Sequence, residues 1–359
     1  MLKDTIDKIG PLNAVAMAEA EKHHGLLAIP AGSLGRFHEF AIRMAGIMGN
    51  SRPCIKNTAI ITMAGDHGVE AQGVSKFPQA VTREMVANFA RGGAAINVFA
   101  RHVGARLTVV NIGVAGSPLV FTVNSQGHVR YESRVVAAGT GDISVGPAMT
   151  RAQAIQALET GIRVFEEEKE KGIDAVGTGD MGIANTTPSS AIAAALLRKD
   201  PAILVNRGTG IDDAALENKI RVVTRSLSVN CPDPKDPVDV LAKVGGFEIG
   251  GIAGVILGAC AHRVPVVVDG FISTAAALLA SRFHPEVKHY LFGGHLSAVE
   301  GHRLMLEDLG IRPMLDLDMR LGEGTGAALG LSLLTAASRV ATDMLTFEEA
   351  AVSESQIPS

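Results

Sequence analysis

The chain has 359 residues, 47% of them hydrophobic and only 19% charged, with a formal net charge of −4. That balance excludes a disordered chain, and the length suits one large α/β domain with a smaller appendage. There is no dense Lys/Arg block, aromatics are 4% and Trp is absent, so nucleic-acid platforms are excluded and small metabolites are the expected partners.

The chain opens on MLKDTIDKIGPLNAVAMAEAEKHH, whose apolar spacing predicts a helix over 3–24, followed by a second over 35–49. This start is charged and lacks the apolar core of a signal peptide. The most apolar stretch, Gly251 to Ala261, is far shorter than the roughly 20 residues that span a bilayer. Cys54, Cys231 and Cys260 are odd in number and far apart, which suits reduced thiols rather than a disulfide framework. A cytoplasmic protein without membrane contact is the expectation.

Short apolar runs then recur, each ending in a polar or Gly-rich turn: 58–68, 106–116, 173–180, 201–206, 264–270 and 289–295, with 312–319 a weaker case. Helical patterns, such as 81–104 and 189–199, separate most of them, and a last helix covers about 324–345. Apolar strands alternating with helices predict a three-layer, Rossmann-like α/β fold with a mostly parallel sheet. Helices from both chain ends (residues 1–55 and 323–359) are expected to form a small unit beside the large domain of residues 56–322. In such sheets ligands sit where the strands end.

Asp66 and His67 follow the first strand and suit substrate orientation or proton transfer, or an ordinary helix cap. After the strand at 173–180 comes MGIANTTPSSAI, in which Gly179, Gly182, Asn185, Thr186 and Thr187 lead into a helix. That layout suits an anion at a helix N-terminus, and it suits a tight turn with a plain cap equally. It is neither a Walker A loop nor a dinucleotide fingerprint, since the acidic residue expected about 20 positions later is missing. Gly208 lies in the next loop, and Lys219 either contacts a phosphate or carboxylate or is a solvated helix lysine. Asp269 and His295 are strand-end groups that could also merely cap. Glu323, in LGEGTGAALG, sits between glycines at a helix start, where the dipole lowers its pKa and burial raises it. From the residues alone, catalyst and helix-start residue are equal readings.

In order along the chain, the segments GDHGV, GVSKFPQAVTREMVANFARGGAAINVFAR, GTGDMGIANTTPSSAI, RGTGIDD, ENKI, DPVDVLAKVGGFEIGGIAGVILGA, VPVVVDGFIS, GGHLSAVEGHR and MRLGEGTGAAL resemble the nicotinate-nucleotide:dimethylbenzimidazole phosphoribosyltransferase family. The resemblance spans about residues 20–345. It implies transfer of phosphoribose from nicotinate mononucleotide to 5,6-dimethylbenzimidazole, giving nicotinate and α-ribazole 5′-phosphate for the cobalamin lower ligand. It also implies a homodimer and no metal or cofactor, because cleaving a pyridinium releases a neutral ring nitrogen. By the same resemblance Glu323 is the general base. Ser75, Gln79, Met85 and Met319 would line the base pocket, and Leu321 is a further expected substrate contact. The 5′-phosphate would sit on the Gly182–Thr187 loop and the Gly293, Gly294, His295 turn, with Lys219 near it or near the nicotinate carboxylate. One departure is Asp180, where many members carry Glu; it implies either a changed base preference or, the favoured reading, a different anchoring of its loop. Transfer to another aromatic base, a nucleotide-binding oxidoreductase and a silent nucleotide-binding paralogue are the alternatives.

Overall fold

The longest apolar β-rich runs become the two longest strands, buried because helices cover both faces of the sheet. The computed structural model describes residues 1–116, 119, 129–205, 207–208, 210 and 212–353. In chain order its elements are α1 (Leu2–Ile6), α2 (Ala14–His24), α3 (Arg36–Met48), β1 (Thr58–Gly65), α4 (Ala80–Arg91), α5 (Ala95–Val103), β2 (Arg106–Gly113) and β3 (Val129–Ser133). They continue with α6 (Arg151–Glu170), β4 (Ala175–Met181), α7 (Thr186–Leu197), α8 (Asp213–Asn230), α9 (Pro237–Val244), α10 (Phe247–Ala261), β5 (Val266–Val268) and α11 (Phe271–Ser281). Last come β6 (Leu291–Gly293), β7 (His295–Leu296), α12 (Glu300–Leu309), β8 (Leu315–Asp316), α13 (Thr325–Asp343) and α14 (Phe347–Ala350).

Six strands form one sheet in the order β3-β2-β1-β4-β5-β6, each neighbouring pair parallel. This is the strand order of doubly wound nucleotide-binding folds, and the fold is Rossmann-like as expected. The order reverses between β1 and β4, where a crevice opens at the strand C-termini. The two faces of the sheet meet different helices: Gly177, beside Ile60, lies against Ala327 and Leu331 of α13, while Met63 and Ile112 meet Gly251 of α10. The chain ends converge, since α13 packs on α3 and α2 as well as on β4 and β5, and Leu27 bridges Thr346. None of the described helices is long and apolar enough to cross a membrane.

Four expectations need correction. The run 201–206 is no strand: Asp200 caps a 3-10 turn at Pro201–Ile203, because its carboxylate accepts the Ala202 N–H and Pro201 sits at the first helical position. Its last residue, Asn206, lies outside the described residues. The pattern 81–104 is two helices, broken at Gly92, whose φ of 83° is left-handed. Residues 3–24 also split, around Gly10 and Pro11. Of 312–319, only Leu315 and Asp316 pair, with β7. One strand, β3, was not foreseen, because VRYES is a half-buried edge strand without an apolar run.

Candidate functional site

A cavity of about 400 Å³ opens at this crevice. Its wall is built from the segment after β1 and the face of α4 (Val74, Ser75, Phe77, Val81, Met85) and the end of β4 with the turn into α7 (Asp180 to Thr186). Residues after β5 and β6 (Gly270, Ile272, His295, Ser297, Val299) and the segment before α13 (Arg320 to Glu323) complete it, with Arg207, Gly208 and Lys219. Strand-end segments far apart in sequence converge because every strand of the sheet points the same way.

Glu323 is 5% exposed and has a φ of 66°, between Gly322 at 84° and Gly324 at 103°. Left-handed backbone is costly for a residue with a Cβ, so the surroundings must hold it. The Thr62 hydroxyl donates to the Glu323 carbonyl at 2.8 Å. Its carboxylate does not serve α13, which begins at Thr325. Instead, Oε2 accepts the backbone N–H of Ile96, in the first turn of α5, at 3.1 Å. Burial pushes its pKa above the ordinary carboxylate value, the Ile96 N–H pulls the other way and nearby Asp269 pushes up again. Burial wins over the helix-end effect.

Asp269 is the cap of α13. Its Oδ1 accepts the N–H groups of Gly326 (2.7 Å) and Ala327 (3.0 Å), and its Oδ2 accepts that of Gly324 (3.0 Å). Burial raises its pKa, against His295 and those three amides. It therefore lies behind the wall rather than on it.

Asp180 faces the cavity and is 5% exposed. Its Oδ2 accepts from the Asn185 side chain at 2.9 Å, while among the described residues no group bonds Oδ1. Burial, then Asp269, raises its pKa well above the usual value. Lys219 is 1% exposed on α8, and its ammonium donates to the Thr186 hydroxyl at 2.6 Å, at the start of α7. Burial lowers its pKa to about 7. A lysine, a hydroxyl and a helix N-terminus facing one cavity suit a phosphate.

Ser75, Met85, Asp180, Gly182, Asn185, Thr186, Gly208, Lys219, His295, Leu321 and Glu323 are thus brought together on the wall. Asp66, His67, Gln79, Gly179, Thr187, Asp269, Gly293, Gly294 and Met319 are not part of it. Asp66 accepts the Ala115 N–H at 2.8 Å, and His67 Nε2 donates to Glu248 at 2.8 Å in a buried pair beneath Gly182. Gln79 precedes α4, and Thr187 is buried in the first turn of α7. Gly179 and Gly294 lie against the backbones of Glu323 and Gly326, Gly293 ends β6, and the Met319 carbonyl accepts the Ala298 N–H. Val74, Phe77, Val81, Ile272, Val299, Arg207 and Arg320 are wall residues that sequence reading did not single out. All seven stand inside the motif segments quoted above, Arg320 three positions before Glu323. Among the described residues no group of three or more His, Cys, Asp and Glu side chains could hold a metal ion.

A family model described as phosphoribosyltransferase matches residues 9–352. The nicotinate-nucleotide–dimethylbenzimidazole phosphoribosyltransferase of Chloroflexus aggregans is 53% identical over 99% of this chain and 98% of its own. That of Geobacter sulfurreducens is 52% identical over 99% of each. The crystal structure of CobT from Thermus thermophilus is similar with a TM-score of 0.89 and 42% identity, covering 95% of this chain and all of that one. With full-length identity of this order and a shared fold, the chain belongs to the nicotinate-nucleotide–dimethylbenzimidazole phosphoribosyltransferase family and is a pentosyltransferase.

Proposed function

We propose that the chain transfers phosphoribose from nicotinate mononucleotide to 5,6-dimethylbenzimidazole, with Glu323 as general base. The ribose C1–N bond breaks, its electron pair leaving on the neutral pyridine nitrogen of nicotinate. One benzimidazole nitrogen bonds C1 from the opposite face, inverting β to α, and the proton on the other nitrogen passes to Glu323. The observation that carries this reading is a carboxylate on the wall of a largely apolar cavity, its pKa raised by burial, as a base working near neutrality requires.

The remaining wall suits the substrates. Lys219, Thr186 and the N-terminus of α7 would take the 5′-phosphate. Val74, Phe77, Val81 and Met85 offer an apolar surface for a flat aromatic base. The Asp180–Asn185 bond supports a loop-anchoring role for Asp180. The proposal includes a cytoplasmic homodimer, on the family resemblance, and light scattering on the purified protein tests its mass.

The deciding experiment mixes the enzyme, nicotinate mononucleotide and dimethylbenzimidazole without metal and follows nicotinate release. Absence of release, or a requirement for Mg²⁺, sinks the mechanism. Glu323→Gln should lower kcat at least ~100-fold, the usual size of a general-base effect.

A further inference from the structure

Glu323 depends on a helix that contributes nothing else to its carboxylate's chemistry. The first four N–H groups of a helix have no partner within it, and Ile96 spends one of them on Glu323 Oε2 at 3.1 Å. Where that N–H points is set by the turn between α4 and α5, and Asn97 stitches the turn from both sides. Its Oδ1 accepts the Ala94 N–H at 2.9 Å, and its Nδ2 donates to the Phe89 carbonyl at 3.0 Å, near the end of α4. Asn97 is 1% exposed and lies off the cavity wall, so it touches no substrate.

We propose that Asn97 is a positioning residue for the transfer: it fixes the start of α5 so that the Ile96 N–H holds one oxygen of Glu323 and leaves the other for the substrate proton. The inference rests on the reading of Glu323 as base. The same α4 carries Val81 and Met85 of the apolar wall, so one side chain sets the carboxylate and the base pocket in register. A hydrogen bond to the ionised carboxylate favours that form. Losing it therefore raises the pH at which Glu323 becomes an active base. The other ionisable groups around the carboxylate, Asp269, Asp180, His295, Lys219, Arg207 and Arg320, are not themselves altered by such a change.

Two changes test this in the full-length enzyme. Asn97→Ala removes the stitch, and an amide-to-ester replacement at Ile96, introduced as the α-hydroxy acid, removes the N–H alone. In both, kcat should fall about tenfold, as for loss of a hydrogen bond to a charged group, while KM for nicotinate mononucleotide stays within about threefold. The acid limb of the kcat–pH profile should move to higher pH, which a purely structural role would not produce. If Asn97→Ala does not fold, the ester protein decides alone. An ester protein with unchanged kcat and an unmoved acid limb overturns the inference. If Glu323→Gln is inactive while the ester protein behaves as wild type, only this inference falls. If Glu323→Gln is fully active, the reading of Glu323 fails first.

Discussion

A Cβ built on Gly179 would lie 2.3 Å from the backbone carbonyl oxygen of Glu323. Strand β4 thus has no side chain where the Gly322–Gly324 turn rests on it, and the left-handed Glu323 depends on that contact. Gly179→Ala must push the turn outward or distort β4. We expect a loss of about 1–3 kcal/mol, as for overpacked cores, and a fall in kcat larger than tenfold, as misplaced catalytic groups give. Chemical denaturation and steady-state kinetics read the two effects. Wild-type kcat in this variant would show that the turn can shift without harm to the chemistry.

Asp269 gathers three backbone N–H groups at the start of α13. Asn in its place keeps one acceptor oxygen and turns an NH₂ toward donors. Asp269→Asn should cost about 1–3 kcal/mol and lower kcat through the displaced Glu323 turn. KM for nicotinate mononucleotide should change little. A rise in KM with kcat intact would instead make Asp269 a substrate contact.

Asp180 is buried with its pKa raised well above the ordinary value. The folded state then holds a proton that the unfolded chain releases. Its contribution to stability is present below the unfolded pKa and is lost as pH rises through the folded one. Asp180→Asn removes that loss, so the variant should gain stability relative to wild type between pH 5 and pH 8. A gain of about 0.5–2 kcal/mol at the upper pH is the usual size of a single stabilising change. Urea unfolding at both pH values checks it, and a gap that does not widen with pH would refute it.

Lys219, with its pKa lowered to about 7, loses its charge in the free enzyme as pH rises through neutrality. A phosphate must then restore the proton, so KM for nicotinate mononucleotide should climb on the alkaline side. Lys219→Met should raise KM at least about tenfold at slightly acidic pH, the scale of a lost charged hydrogen bond, and flatten the climb. An alkaline rise that persists in the variant would assign it to another group.

Much of this was legible in the chain. Continuous apolar runs such as TAIITMAG mark strands buried on both faces, and the polar residues closing them fall at one edge because the sheet is parallel. Hence Asp180, Thr186, His295 and Glu323 are legible as strand-end candidates, and all four line the cavity. The run 201–206 misled because apolarity alone does not separate a buried turn from a strand; the Asp200–Pro201 start held the better signal.

Local pattern and ordered motifs are enough to read the fold class, the strand-end residues and the family from the chain. The tertiary structure alone decided which of those residues face the cavity and which lie behind it. Asp269 and Glu323 read alike as acids beside glycine, yet one caps a helix and the other lines the cavity. The partner that steadies Glu323 stands 227 positions away. Burial and hydrogen-bond partners set a carboxylate's proton affinity, and both come from residues that only folding brings together.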